Sequence, residues 1–456
     1  VNSTLSSYRR RLFRANPPRV VALFFALAVL TGSLLLMLPS STGDGQGTTW
    51  VEALFTATSA VCVTGLTVVD TGLHWSATGE IVILVLIQLG GLGIMTLAST
   101  IVLVLNRKLG VASRLVTQTE TGSIHVGEIR PFIFAIVRFS LAFEAIGATL
   151  LFIRFLTAYD YSFSEALWHG VFHSVSAFNN AGFGLRSDNL TLFVDDWWVN
   201  GTIGALIVFG GLGFPVMLEL LRRYRTPRRR RQRLSLHSRI TLAATAVLII
   251  AGTIALSFSE WTNPDTFGKL STPDSIVAAA FHSIQTRTAG FNTVDIGEMN
   301  PGSWLIMSIL MFIGGGSAST AGGIKVTTFT IIALMIWAEV RGERDVTAFG
   351  RRLGERPQRQ AIALAALALG ACVTGGLVLV SMSGISIDAA LFEAISAFGT
   401  VGLSTGITSS LDESSQMVLV GLMYLGRLGP LTLGAALVLR SRTRLYRYPE
   451  EQPIIG

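Results

Sequence analysis

The sequence predicts an all-α membrane protein made of four covalently linked span–pore-loop–span repeats. Eight transmembrane helices and four re-entrant pore helices then stand in a pseudo-fourfold arrangement around one central pore. Three observations carry this reading. Half of the 456 residues are hydrophobic and only 14% are charged, against roughly 25% in an ordinary globular domain, and mean hydropathy is +0.57. Apolar runs long enough to span a bilayer, ~20 residues, recur along the chain. A short Phe-to-Gly motif returns four times at a near-constant period, the mark of a repeated unit.

The apolar runs lie at 20–39, 80–105, 131–156, 198–221, 240–258, 303–338, 358–381 and 416–439. The first follows Arg9, Arg10, Arg11 and Arg14 like a signal peptide, but its apolar core is too long for one, so it reads as a retained helix. Connections 106–130, 222–239 and 339–357 are basic, whereas 40–79, 157–197, 259–302 and 382–415 nearly lack Lys and Arg. Of the 35 basic residues, 28 fall with the termini and the basic connections and four on the other side: Arg154, Arg186, Lys269 and Arg287. By the positive-inside rule both termini are cytoplasmic and the protein is a multi-pass protein of the cell membrane. The arginine run at 222–239 reads as a topogenic loop near anionic lipid rather than a nucleic-acid patch. Cys62 and Cys372 are too few for a disulfide framework or a metal cluster, and read as free buried thiols.

Each basic-poor connection holds a short half-apolar stretch: 53–67, 170–184, 279–293 and 390–405. A phenylalanine leads each one (Phe55, Phe172, Phe281, Phe392), and a glycine follows nine or ten residues later (Gly65, Gly182, Gly290, Gly402). These glycines are 117, 108 and 112 residues apart. The next span carries a glycine cluster 24 to 28 residues further on: LGGLGIM at 89–95, FGGLGFP at 209–215, IGGGSAS at 313–319 and LGRLGPL at 425–431. The repeats run over 1–125, 126–232, 233–350 (with a broken second span) and 351–456 (with a cytoplasmic tail).

A half-helix that enters from outside turns its partly negative C-terminal end toward the midplane, where four such ends favour a cation. Glycine at the start of the return allows backbone conformations closed to other residues. Four carbonyl-lined strands can replace the hydration shell of a large, weakly hydrated ion such as K+. The return segments carry no carboxylate, which disfavours a Ca2+ or Mg2+ site. Four tripeptides are therefore the candidate filter: Val63, Thr64 and Gly65; Asn180, Ala181 and Gly182; Thr288, Ala289 and Gly290; Thr400, Val401 and Gly402.

The third glycine cluster differs from the others. Residues 314–323 read GGGSASTAGG, and at roughly 1 kcal/mol per Gly relative to Ala a regular helix is disfavoured there. The helix should break at mid-membrane into a loop beneath the filter, a candidate gate made of Gly314, Gly315, Gly316, Ser317, Ser319, Thr320, Gly322, Gly323 and Lys325. In register, Gly91, Gly211 and Gly315 align with Arg427. A lone midplane arginine is costly and faces a cavity or a partner, so Arg427 is expected in the pore near the loop as an electrostatic barrier. Arg138 and Glu144 read as buried structural partners or helix-end residues, and His173 and His282 as packed histidines.

SAVCVTGLT, FNNAGF, TRTAGFNTVD, SAFGTVGLSTG and GGGSASTAGGIK together resemble the Trk/Ktr/HKT superfamily of potassium transporters over essentially the whole chain. Length and the early first span look like the bacterial Ktr-type membrane subunit. The resemblance implies a K+-selective filter, because a serine at the first filter glycine goes with Na+ permeation and this chain has Gly65. It implies a homodimer with one pore per protomer and a cytosolic RCK-domain (KtrA-like) subunit that binds ATP or ADP. K+, or Rb+ in its place, is the transported ion and membrane lipid the surroundings, with no covalently bound cofactor and no nucleic acid. Na+ as an activator stays open, as does a tightly coupled Na+ or H+ symporter. All repeats run the same way and no Asp lies in a span, which favours the gated, channel-like reading. GGIKVT at 322–327 lacks the phosphate-loop order, and no HExxH occurs, so an enzyme is not expected.

Overall fold

A computed structural model describes residues 17–108, 129–227 and 233–439. Most of the first basic connection, Arg228, Arg229, Arg230 and Arg231, and the tail from Arg440 with Tyr446, Tyr448 and Pro449 lie outside the described residues. The order long helix, short helix, long helix recurs. It runs as α1 (Pro17–Leu36), α2 (Trp50–Cys62) and α3 (Ala77–Lys108), then α4 (Ile129–Ala158), α5 (Phe163–Phe178) and the pair α6 (Trp197–Leu212) and α7 (Phe214–Arg225). Next come α8 (Leu236–Glu260), α9 (Thr272–Gln285) and the pair α10 (Pro301–Phe312) and α11 (Val326–Val340). The last are α12 (Glu355–Ser383), α13 (Ile387–Gly399) and α14 (Glu413–Leu439).

By length and composition α3, α4, α8 and α12 can each cross a membrane, and the bent pair α6–α7 makes a fifth; α1, α10 and α11 are apolar but shorter. The long helices turn large apolar side chains outward, among them Leu23 and Leu27 on α1, Phe134 and Ile146 on α4, Val247 and Ile250 on α8, and Leu367 and Leu377 on α12. An apolar surface of this extent suits lipid rather than water. Cys62 and Cys372 are both free and buried.

The short helices begin alike. Thr49, Ser162, Ser271 and Ser386 occupy the N-cap positions, and Glu52, Glu165, Asp274 and Asp388 stand in the first turns. Thr49 and Glu52 complete a capping box. An acid at the positive end of each dipole stabilises that end and leaves the opposite, negative ends to converge.

The leading phenylalanines lock the units together. Phe172 and Phe183, from the second unit, pack in the core of α1–α3. Phe281 and Phe291 pack in the core of α4–α6, Phe392 and Leu403 in that of α8–α10, and Phe55 and Leu66 in that of α12–α14. Each unit thus inserts the same two positions, the leading phenylalanine and the residue after the motif glycine, into the unit before it, and the fourth accepts them from the first. Burying one such ring contributes about 1.5–3 kcal/mol.

The sixth apolar run is broken between α10 and α11, over residues 313–325. The cluster glycines allow close approach: a Cβ on Gly90, Gly210 or Gly426 would lie 2.0, 1.9 or 1.7 Å from the carbonyl oxygen of Val61, Phe178 or Phe398, at the ends of α2, α5 and α13. The fourth run was expected to be continuous over 198–221, but it bends by 102° between α6 and α7. Gly213, with φ 90° and ψ 144°, stands outside any helical conformation, and Pro215 suits the first turn of the helix that restarts there.

Candidate functional site

The four tripeptides come together with one repeated backbone geometry. Their first residues leave the short helices in a left-handed conformation, with φ 57° at Val63, 61° at Asn180, 70° at Thr288 and 48° at Thr400. The glycines follow with φ 89° at Gly65, 74° at Gly182 and Gly290, and 96° at Gly402. L-residues other than Asn rarely adopt the left-handed region, so Val63, Thr288 and Thr400 are held there by what surrounds them. The amide of Thr64 donates to Ser59 O at 2.8 Å, that of Ala181 to Ser176 O at 2.7 Å, and that of Val401 to Ser396 O at 2.9 Å. In the third unit, one residue shorter, Ala289 donates to Gln285 O at 2.9 Å.

The glycines close a ring. A Cβ on Gly65 would lie 2.3 Å from Ala181 O, on Gly182 2.7 Å from Ala289 O, on Gly290 2.3 Å from Val401 O, and on Gly402 2.1 Å from Thr64 O. Each glycine therefore faces the carbonyl just before the next unit's glycine, in the order of the chain and back to its start. The other eight residues of the tripeptides are buried.

A cavity of about 540 Å3 opens on the C-terminal side of the ring, lined by all four glycines and rimmed by Asp70, Asp188, Asp295, Arg186 and Lys269. Partial burial works against ionisation of Asp188. Hydrogen bonds from Arg186 and Thr191 outweigh it and hold the carboxyl below its ordinary pKa, so the rim keeps this negative charge near neutral pH.

On the opposite side lies the loop 313–325. Its base is closed by Gly314 N to Ile324 O at 2.8 Å and Val326 N to Gly315 O at 2.9 Å. Thr320 Oγ1 donates to Asn180 Oδ1 at 2.9 Å. A Cβ on Gly322 would lie 2.0 Å from Thr400 Oγ1. The loop thus reaches from the second tripeptide to the fourth. Arg427 is buried (3% exposed). It donates through Nη1 to Thr320 O and through Nη2 to Gly90 O at 3.2 Å. Lys325 Nζ donates to Ala321 O at 2.5 Å. The third unit adds a cation that the side count had placed outside: Arg287 is buried and donates to Thr245 O at 3.2 Å and Gly314 O at 3.5 Å. None of the three forms an ion pair among the described residues. Backbone carbonyls and one threonine hydroxyl take their hydrogen bonds instead.

Three buried carboxylates are satisfied by neutral donors, and sequence reasoning offers a partner, Arg138, for Glu144 alone. Glu144 accepts from Gln88 Nε2 at 3.1 Å and from Asn179 Nδ2 at 3.2 Å, next to the second tripeptide. Arg138, its expected partner, is exposed. Glu260 accepts from Thr266 Oγ1 at 2.6 Å and from Asn300 N at 2.9 Å. Glu393, on α13, accepts from Ser404 Oγ at 2.6 Å, Thr405 N at 3.0 Å and Thr408 Oγ1 at 2.8 Å, and so fixes the chain just after Gly402. His173 and His282 are buried as expected, against His169 O at 2.8 Å and Thr293 Oγ1 at 3.2 Å. Glu393→Ala would leave these donors unpaired in a buried place, at about 1–3 kcal/mol. We expect less protein in the membrane fraction and an earlier thermal transition in detergent, with Glu393→Gln retaining part of both. An unchanged transition for Glu393→Ala would show that Glu393 braces nothing.

Residues 14–442 match the family model TrkH, described as cation transport protein. The chain is 38% identical over 443 residues to "Ktr system potassium uptake protein B" of Bacillus subtilis (strain 168), covering 97% of each. It is 34% identical over 449 residues to "Potassium/sodium uptake protein NtpJ" of Enterococcus hirae, covering 97% of this chain and 98% of that one. The crystal structure of the potassium transporter TrkH from Vibrio parahaemolyticus superposes with a TM-score of 0.71 at 19% identity, over 93% of this chain and 85% of that one, which shows the fold.

Proposed function

From a chain that belongs to the TrkH family of cation transport proteins, we propose K+ uptake across the cell membrane through a channel-like pore, with both termini cytoplasmic. The tripeptide ring is its filter. The carrying observation is the closed order of the four positive-φ glycines, each set against the carbonyl of the next unit. Such a ring presents backbone oxygens in place of a hydration shell, and the negative ends of α2, α5, α9 and α13 add to its preference for a cation. The short helices enter from the outer face and return. The loop 313–325 is the gate, since it crosses from Asn180 to Thr400 on the side away from the cavity. Arg427, bonded to that loop, is the barrier a passing cation meets. The potassium uptake named for the Ktr relatives supports K+ as the transported ion. In the same proposal the assembly is a homodimer with one pore per chain, regulated by a cytosolic RCK-domain subunit that binds ATP or ADP.

The test is Rb+ and Na+ uptake in cells lacking their own potassium uptake, with the cytosolic subunit co-expressed. Wild type is expected to take up Rb+ in preference to Na+. Gly65→Ser, with a side chain aimed at Ala181 O, is expected to shift the Rb+/Na+ ratio toward Na+ by about tenfold, a 1.4 kcal/mol change. No Rb+ uptake by the wild type overturns the function, and an unchanged ratio overturns the filter.

A further inference from the structure

We infer that the bend between α6 and α7 positions the loop 313–325, with Gly213 as its positioning residue and α7 as the arm through which the cytoplasmic face moves the loop. The inference rests on the reading of this loop as the gate.

The argument starts from orphaned backbone groups. A helix that stops leaves its last carbonyls without partners, and a helix that starts leaves its first amides so. At the bend the loop meets both ends. Gly316 N donates to Gly211 O at 2.7 Å, and Thr320 N to Gly210 O at 3.4 Å, which satisfies the end of α6. In return Phe214 N, the first amide of α7, donates to Ala318 O at 3.3 Å. The bend and the loop therefore cap one another. Gly213 itself has φ 90°, and a Cβ there would lie 2.5 Å from Ser317 O. A straight helix through 213 would give the Gly210 carbonyl to the Phe214 amide and so break both the Thr320 and the Ala318 contacts of the loop, while Pro215 has no amide to offer Gly211.

α7 runs from the loop to a fixed point and then to the surface. Phe214, Val216 and Met217 are buried. Glu219 accepts from Ser235 N at 2.6 Å and Ser235 Oγ at 2.8 Å, and also from the Ser238 hydroxyl, which ties the arm to the start of α8. Its last turn bears Arg222, Arg223 and Arg225, all exposed. A displacement of this basic end about the Glu219 tie is transmitted through one turn of helix to the Ala318 carbonyl.

A double-mutant cycle tests the inference by Rb+ uptake, normalised to protein in the membrane. Gly213→Ala cannot hold the bend and is expected to loosen the loop and raise uptake about fivefold, the weight of one backbone hydrogen bond. Gly201→Ala, on the same helix where an added methyl meets nothing within 4 Å, should match wild type. Deleting Ala318, Ser319 and Thr320 should itself raise uptake, and in that background Gly213→Ala should add nothing, because coupled positions are not additive. A merely structural role predicts the same factor in both backgrounds, and that result, or no increase with Gly213→Ala in the intact loop, overturns the inference. If the deletion leaves uptake unchanged, the gate reading fails instead. Should Gly213→Ala not accumulate, Phe214→Pro removes the same amide at a position that accepts proline and is held to the same outcomes.

Discussion

Replacing Arg427 with alanine is expected to raise Rb+ uptake about thirtyfold. The guanidinium is buried and bonded to Thr320 O and Gly90 O, with no ion pair among the described residues to neutralise it. A unit charge ~8 Å from a cation path at an effective dielectric near 20 raises the barrier by about 2 kcal/mol. At 1.36 kcal/mol per factor of ten, that is about thirtyfold in rate. The same substitution also frees the loop from its contact at Thr320. Arg427→Lys separates the two effects, because it keeps the charge and loses the two-pronged geometry. If the barrier is electrostatic, the lysine variant stays near wild type; if the arginine acts as a latch, it follows the alanine variant. Unaltered conduction and leak in Arg427→Ala, with normal amounts of protein in the membrane, would remove the barrier.

The parts of this site legible in the sequence are those where backbone geometry leaves only one residue type. Gly65, Gly182, Gly290 and Gly402 stand out because each has positive φ and faces a carbonyl, so the requirement recurs at the period of the unit. The break at 313–325 is legible because five glycines in ten residues weaken the helix locally. Arg427 is legible only through register, as the one long side chain at a position that is glycine in the other three units. The bend at Gly213 was hidden by good apolar flanks on both sides, and Pro215 just after it was the available sign. The recurring Ser or Thr caps with an acid in the first turn were in plain view and would have fixed the starts of the short helices.

What was illegible depends on contacts between distant segments. Glu144 lies 56 residues from Gln88, and Arg287 lies 42 residues from Thr245. Nothing local distinguishes a carboxylate that will be satisfied by amides from one that needs a cation. Arg287 was assigned to the outer surface by a count of charges on each side. The fold instead places it just before the third tripeptide, where the carbonyls of Thr245 and Gly314 stand in for water.

Gly402→Ala is expected to lower Rb+ uptake at least a hundredfold while leaving the protein in the membrane. Two costs combine at this position. A φ of 96° is strained for any L-residue, a cost of order 1–3 kcal/mol. The added methyl would also lie 2.1 Å from Thr64 O and 3.0 Å from Thr64 C, both backbone atoms of the first unit. A flexible side chain could move aside, but this carbonyl is part of the ring, and moving it opens the ring between the fourth and first units. A misplaced carbonyl worth about 2.7 kcal/mol at the transition state gives the hundredfold loss. Gly384→Ala isolates the strain, since Gly384 also has positive φ, 63°, but nothing within 4 Å of an added Cβ. It should cost some stability and leave uptake per molecule unchanged. If Gly402→Ala conducts as well as Gly384→Ala, backbone strain accounts for the glycine and the carbonyl ring is not the filter. If only Gly402→Ala fails, the requirement at that position is room for the neighbouring unit's carbonyl.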